Sequence, residues 1–518
     1  MRSAPELPVS AETTSGPPQS CSWHPSTAPT STVFDTLGTG ELKEINMDTL
    51  KLRFFGLGLR AGIAIQMLLM CVLLMLSAND AVYELCSLYY PIFRGCFLVS
   101  LFGVLFALLL FAWKRTGIDY GAILGVKPHR TNYHAVVRAA SNLMSLNTLA
   151  FVVSWLALTV QARGTAFKHV GPLVAFAGTV LYLAAPVDWM PEWDDAAQRA
   201  ELARTAGRAL LAPFAAPSFA ASFVADIFTS MPKCFIDLLY SACIYTSGEA
   251  FSVGRWHEGV NTFDRPLKVC TSDNPAYHRL FILLSILPFV MRLMQCVRQI
   301  HDALVAGGYG WRQPFANALK YTTSLLVIAL SMSGGRSDAW LVASICSTLL
   351  AFSWDVFIDW GLGPQPLRRA LRRLLTPDAP SGSAYDEAAS YWLRPVRVFS
   401  EGVYVGGIMC DLIARLGWAV YISPGQEVVA QNVTLLLGTV ELLRRAMWAL
   451  FRLEWEQIRL VATREHEASF KRSMRAPLLV TEQRPSKEAR IEAALESNKR
   501  RMARVSLENL NLWVKPES

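Results

Sequence analysis

Val433–Phe451 reads VTLLLGTVELLRRAMWALF, inside a helical stretch that runs from about Val428 to Glu454. At helical rise this run is long enough to span the bilayer hydrocarbon, yet Glu441, Arg444 and Arg445 stand near its middle. An ionisable group at that depth costs on the order of 3 kcal/mol or more, so such groups face a bundle interior or a watery path. Glu441 lies one turn before both arginines, and one carboxylate opposite two guanidinium groups leaves a net positive face. The alternative is a helix end, with the arginines snorkelling to the headgroups. We assign Arg452 to such a flank, and Arg444 and Arg445 to a candidate anion site.

Apolar runs of similar length recur from Phe54 onward, in a chain of 518 residues that is 52% hydrophobic and 17% charged. The expected fold is all-α: a polytopic helical membrane protein of about ten transmembrane helices. The expected spans are approximately Phe54–Leu76, Ile92–Trp113, Ala139–Val160, Gly171–Trp189, Phe219–Thr246, Arg279–Val297, Phe315–Ser333, Trp340–Trp360, Val398–Ile422 and Val428–Phe451. The formal charge of +8 does not indicate nucleic acid, because the basic residues collect in short segments between apolar runs. Lys43, Lys51 and Arg53 precede the first span, Lys114 and Arg115 follow the second, and Arg368, Arg369, Arg372 and Arg373 follow the eighth. This bias puts both termini in the cytoplasm.

Residues 1–46, rich in Ser, Thr and Pro, are expected to form a disordered arm, followed by N-terminal transmembrane helices over 47–209. Residues 458–518 are charged and helix-favouring, and are expected to form cytoplasmic helices or a tail. The cysteines have no metal-type spacing, and those in apolar runs, Cys243 among them, are assigned to packing. Cys86 and Cys270 fall in segments expected on the lumenal side, where they are candidates for a disulfide.

Other spans carry charges as well. Asp226, Ser230, Lys233 and Asp237 form one helical stripe, and Arg292 and Gln295 lie deep in the next span. Lys320, Tyr321 and Ser324 share a face of the seventh. Asp355 and Asp359 repel one another at one-turn spacing, which calls for a cationic partner on another helix. Asp411, Arg415 and Trp418 run down one side of the ninth. With no haem-type His pair, HExxH or nucleophile elbow, neither a cofactor nor an enzymatic activity is expected. Arginine offers a planar fork suited to tetrahedral oxyanions, so the chemistry points to a phosphate-like anion.

The ordered motifs LLAPFAAPSFAASFVADIFTS, NPAYHRLFILLSILPFVMRLMQCVRQIHD, NALKYTTS, WDVFIDWGL, DLIARLGW and ELLRRAMWALFRLEWEQ, over 210–457, resemble the EXS family of phosphate exporters. The resemblance implies transport of inorganic phosphate along a path lined by Asp226, Lys320, Tyr321, Asp355, Asp359, Arg415, Trp418, Glu441, Arg444 and Arg445, with Trp418 as a gate. The exporters usually show Asp-Gln-Leu-Asn-Ser at the first of these sites. Here the run is Asp226-Ile227-Phe228-Thr229-Ser230, so that Thr229 puts a hydroxyl where an amide is usual. No SPX domain for inositol pyrophosphate sensing is expected in the polar residues that precede the spans. In this the chain is similar to the short, Golgi-type members that recycle phosphate released by glycosylation. A plasma-membrane exporter and a trafficking factor that retains resident Golgi or ER proteins are the alternatives. Oligomeric state is left open between monomer and homodimer.

The charge bias makes a direct prediction: a cysteine introduced by Ser381→Cys is labelled from the cytoplasmic side. Labelling from the lumenal side alone would reverse the assigned topology.

Overall fold

The computed structural model describes residues 88–125, 133–159, 167–185, 195–212, 214–252, 256–257, 262–263, 267–334, 337–375, 393–394, 397–422 and 427–475, with six isolated positions elsewhere. The 1–46 arm, the first predicted span, Cys86 and the tail beyond residue 475, apart from those isolated positions, lie outside these residues.

The described helices follow in order: α1 (Tyr90–Arg115), α2 (Tyr120–Leu124), α3 (Tyr133–Thr159), α4 (Phe167–Ala184), α5 (Asp195–Leu210), α6 (Phe219–Phe228), α7 (Pro232–Thr246) and the single turn α8 (Glu249–Ser252). A two-residue antiparallel pair, β1 (Trp256–His257) and β2 (Thr262–Phe263), precedes α9 (Pro275–Val305) and α10 (Arg312–Gly334). Then come α11 (Asp338–Trp354), which runs into a π-helical turn at Asp355–Asp359, and α12 (Gln365–Leu375). The last are α13 (Glu401–Arg415), continued by a 3-10 turn at Leu416–Ile422, and α14 (Glu427–Arg475).

Among the described residues five helices are long and apolar enough to cross a membrane, or six if the bent pair α6–α7 forms one span. The other predicted spans differ for local reasons. The apolar part of α4 is short, α13 ends after 15 residues, and α14 carries the charges noted above. The predicted fifth span is two helices, broken over Thr229–Met231 with a bend of 67°. Pro232 supplies a reason, because its nitrogen has no hydrogen to donate and its ring excludes a continuous helix through the preceding turn.

Apolar side chains face outward and charges inward, as expected of a bundle solvated by lipid. Leu326, Val342, Leu349, Ile413 and Leu436 are all at least half exposed, whereas Arg94, Asp237, Arg292, Asp355, Asp411 and Arg444 are buried. Helix α1 is the spine, packed against α3, α4, α7 and α14. Two glycines permit its close contacts: a Cβ on Gly103 would stand 2.9 Å from the Ala140 methyl of α3, and one on Gly95 would stand 2.9 Å from Asp237 Cβ of α7. An aromatic core joins α6, the π turn and α14, with Phe223 stacked on Trp448 at 5.5 Å and Trp360 edge-on to Phe451 at 5.1 Å. Below it, the buried Glu454 carboxylate pairs with Arg394 at 2.6 Å and accepts the Tyr404 hydroxyl at 2.6 Å.

Asp237 therefore does not join the rest of its predicted stripe. Beyond the break it forms a buried two-pronged ion pair with Arg94 of α1, at 2.7 and 2.6 Å. The predicted cysteine pairing is also corrected, since Cys270 is bonded to Cys243 rather than to Cys86. The reason lies in the turn after α7. The Glu249 carboxylate accepts the backbone N–H groups of Lys268, Val269 and Cys270 at 2.6, 2.7 and 3.0 Å, which draws Cys270 onto the end of α7.

Asp237→Ala removes the two-pronged carboxylate partner of a buried guanidinium, and a loss of about 3–5 kcal/mol is expected, read as a fall in the melting temperature of the purified protein. The double variant Arg94→Leu/Asp237→Leu recovers much of that loss. A melting temperature unmoved by Asp237→Ala would exclude the pair as a structural tie.

Candidate anion-binding cavity

Helices α6, α7, α9, α10, α11, α13 and α14 line a cavity of about 490 Å³. Its wall carries Lys233, Lys320, Arg415, Arg444 and Arg445 against Asp226, Asp355, Asp359 and Glu441, five cations to four carboxylates. The sequence-predicted residues meet here, with Arg292 just behind the wall. How each cation is paired decides what the cavity can do.

Arg444 is the most heavily paired. From α14 it donates to Glu441 at 2.9 and 2.7 Å, to Asp411 of α13 at 2.9 Å and to Asp355 of the π turn at 3.3 Å. Arg415 completes this group, bonded to Asp411 at 2.9 Å and to Asp355. Arg292 pairs with Asp226 at 2.7 Å, bonds Gln295, and donates to the Tyr321 hydroxyl at 3.0 Å, which itself donates to Asp226 at 2.5 Å. These three arginines are neutralised by protein carboxylates.

Lys320 and Arg445 are not. The Lys320 ammonium has no hydrogen bond or ion pair among the described residues and lies 4.5 and 5.1 Å from the ring centres of Tyr321 and Trp354. It is nonetheless buried. Arg445 donates only to hydroxyls, to Ser230 at 2.7 Å and Thr229 at 3.1 Å, over the Trp448 ring at 4.7 Å. Ser230 in turn donates to Glu441 at 2.5 Å. Thr229 and Ser230, at the break between α6 and α7, stand on the wall, their backbone N–H groups still bonded to Ala225 O and Ile227 O at 3.2 and 3.0 Å. Two buried cations beside this cavity, each lacking a carboxylate of its own, can hold a small oxyanion through charge-assisted hydrogen bonds.

Trp418 closes one side, its indole nitrogen donating to Thr348 at 3.0 Å and its ring edge-on to Trp340 at 5.7 Å. Asp359 lies at another edge, accepting from Trp448 at 3.0 Å and facing Arg452 at 3.5 Å. Arg452 is thus no lipid-facing flank: it also pairs with Glu456 at 2.8 Å and sits over Phe219 at 4.7 Å. Ser347 and Thr348 were missed because hydroxyls on an apolar helix carry no cost signal of their own. Their spacing of eight and seven residues before Asp355 puts them on its helical face.

The fold and this cavity define a helical integral membrane protein with a charge-lined interior. A model of the EXS family matches residues 89–458, and the chain belongs to that family. It is similar to Protein SYG1 of Saccharomyces cerevisiae, 26% identical over 417 residues that cover 77% of this chain and 42% of the relative. Phosphate transporter PHO1-2 of Oryza sativa subsp. japonica is 24% identical over 74% of this chain and 42% of its own. Solute carrier family 53 member 1 of Homo sapiens is 23% identical over 78% and 55%. The chain spans about half the length of these relatives.

The pairing separates two kinds of arginine. Arg444→Met leaves three carboxylates without their shared partner and is expected to cost about 3–5 kcal/mol of stability. Arg445→Met removes a cation that bonds only hydroxyls, and its melting temperature is expected to stay closer to that of the parent. The reverse order in a thermal melt would overturn this division.

Proposed function

We propose that the protein moves inorganic phosphate across a bilayer through this cavity. The observation that carries the proposal is the pair of buried cations, Lys320 and Arg445, that face the cavity without carboxylate partners. Relatives named as phosphate transporters support the choice of anion. In this reading Arg444, Arg415 and Arg292 hold the walls together, Lys320 and Arg445 grip the substrate, and Thr229, Ser230 and Tyr321 add hydroxyl ligands. Asp226, Asp355, Asp359 and Glu441 keep the empty site from being too positive. Trp418, held by Thr348, is the gate. Residues 210–457 supply most of the path, and α1, from the 47–209 stretch, supports it.

The membrane we propose is that of the Golgi, with phosphate released in the lumen returned to the cytoplasm. This rests on the family resemblance, and localisation of the tagged full chain separates it from a plasma-membrane exporter.

The test is phosphate flux in vesicles containing only the purified full chain. Lysine keeps the charge at position 445 but not the planar fork that bonds two hydroxyls and an anion together. Arg445→Lys is therefore expected to lose about 1–3 kcal/mol of phosphate binding, seen as a fall in flux at low phosphate with normal insertion. Lys320→Met is expected to abolish flux. Absence of flux from the unaltered protein, or full flux in both variants, would remove transport through this site.

A further inference from the structure

Helix α12 (QPLRRALRRLL) lies outside the cavity and takes no part in the transport chemistry. At 100° per residue, Arg368, Arg369, Arg372 and Arg373 fall within an arc of about 140°, and Leu367, Leu371, Leu374 and Leu375 within a separate arc of about 100°. The helix is amphipathic around its whole circumference, with no acidic residue. Leu374 is 61% exposed and Leu367 39%, while Arg369 and Arg373 are exposed on the other side. A soluble helix of this composition would leave both faces in water. The apolar face would then gain nothing from folding.

Its position supplies the apolar solvent. Only Trp360–Pro364 separate α12 from Asp359, where the membrane-crossing segment Asp338–Asp359 ends. The guanidinium of Arg368 donates to Gly361 O at 3.2 Å and fixes that short connection. From the other direction, Arg312, the first residue of the crossing helix α10, donates to Leu374 O at 3.3 Å near the end of α12. Both ends are therefore tied to the ends of helices long and apolar enough to cross a membrane. Tyr309 and Phe315, which flank that entry point, are more than half exposed, as aromatic residues at a membrane interface are.

We propose that α12 lies in the membrane interface and that its arginine face is a binding site for the headgroups of anionic phospholipids. The exposed leucines, Leu367 and Leu374, enter the acyl boundary, and the exposed Arg369 and Arg373, with the half-buried Arg372 beside them, collect phosphate and carboxylate groups in the headgroup layer. The site is independent of the cavity, because none of the four arginines lines it.

The full chain, purified in detergent, is incubated with phosphatidylserine or phosphatidylcholine, and retained lipid is counted by native mass spectrometry. Retention of phosphatidylserine is expected to exceed that of phosphatidylcholine and to fall about five-fold for each arginine removed in Arg369→Gln, Arg372→Gln and Arg373→Gln. The corresponding lysine substitutions keep the charge and are expected to keep the preference, which separates lipid binding from a folding defect. Equal retention of the two lipids by the unaltered chain would overturn the proposal, as would an unchanged preference in the triple Gln variant or its loss in the Lys variant. Displacement of the lipid by millimolar inorganic phosphate would reassign the face to free anions. Stronger binding of a polyglutamate peptide than of phosphatidylserine would reassign it to a protein partner.

Discussion

One guanidinium group, that of Arg444, holds the interior together. It joins Glu441 on its own helix to Asp411 of α13 and Asp355 at the end of α11, so three helices converge on a single buried cation. Inside a bilayer there is no hydrophobic force to press helices together, and such polar contacts take on much of the work of specifying the arrangement. The cost of burying Arg444 is offset only while all three carboxylates are in place. The rest of the cavity inherits its geometry from this knot, because the same α14 turn that presents Arg444 also presents Arg445 to Ser230.

The division of labour among the cations follows from pairing rather than from position. Arg444 and Arg445 are neighbours in the chain and both are buried, yet one is enclosed by acids and the other touches only hydroxyls. Successive residues on a helix point about 100° apart, enough to send one side chain towards α13 and the other towards the break in α6–α7. A charge pattern in sequence cannot separate the two. It reports the number of cations in a span but not which carboxylates on other helices will reach them.

Much of the fold was legible for the same reason that the pairing was not. Long apolar runs announce a helical membrane protein, and intramembrane charges such as Arg292, Lys320 and Asp355 announce a shared interior because their burial is costly anywhere else. The spans that differ are those where a local event interrupts the run: Pro232 in the fifth, the early end of α13 at Arg415 and the charge load of α14. Arg452 was misjudged because its partner Asp359 is 93 residues away in sequence and meets it only through the packing of α11 on α14. Cys270 was misjudged because the turn that carries it back to Cys243 is made by the carboxylate of Glu249, and backbone capping at that range leaves no periodic trace.

The break at Thr229–Met231 divides the fifth span into two rods with different moorings. Asp226 ties the first to Arg292 of α9, and Asp237 ties the second to Arg94 of α1. An unbroken helix would carry any displacement of one mooring rigidly to the other, along a rod some 16 Å long between the two aspartates. With a joint between them, each rod meets its own ion pair at its own angle. The 67° angle at the joint thereby sets the width of the gap beside Ser230.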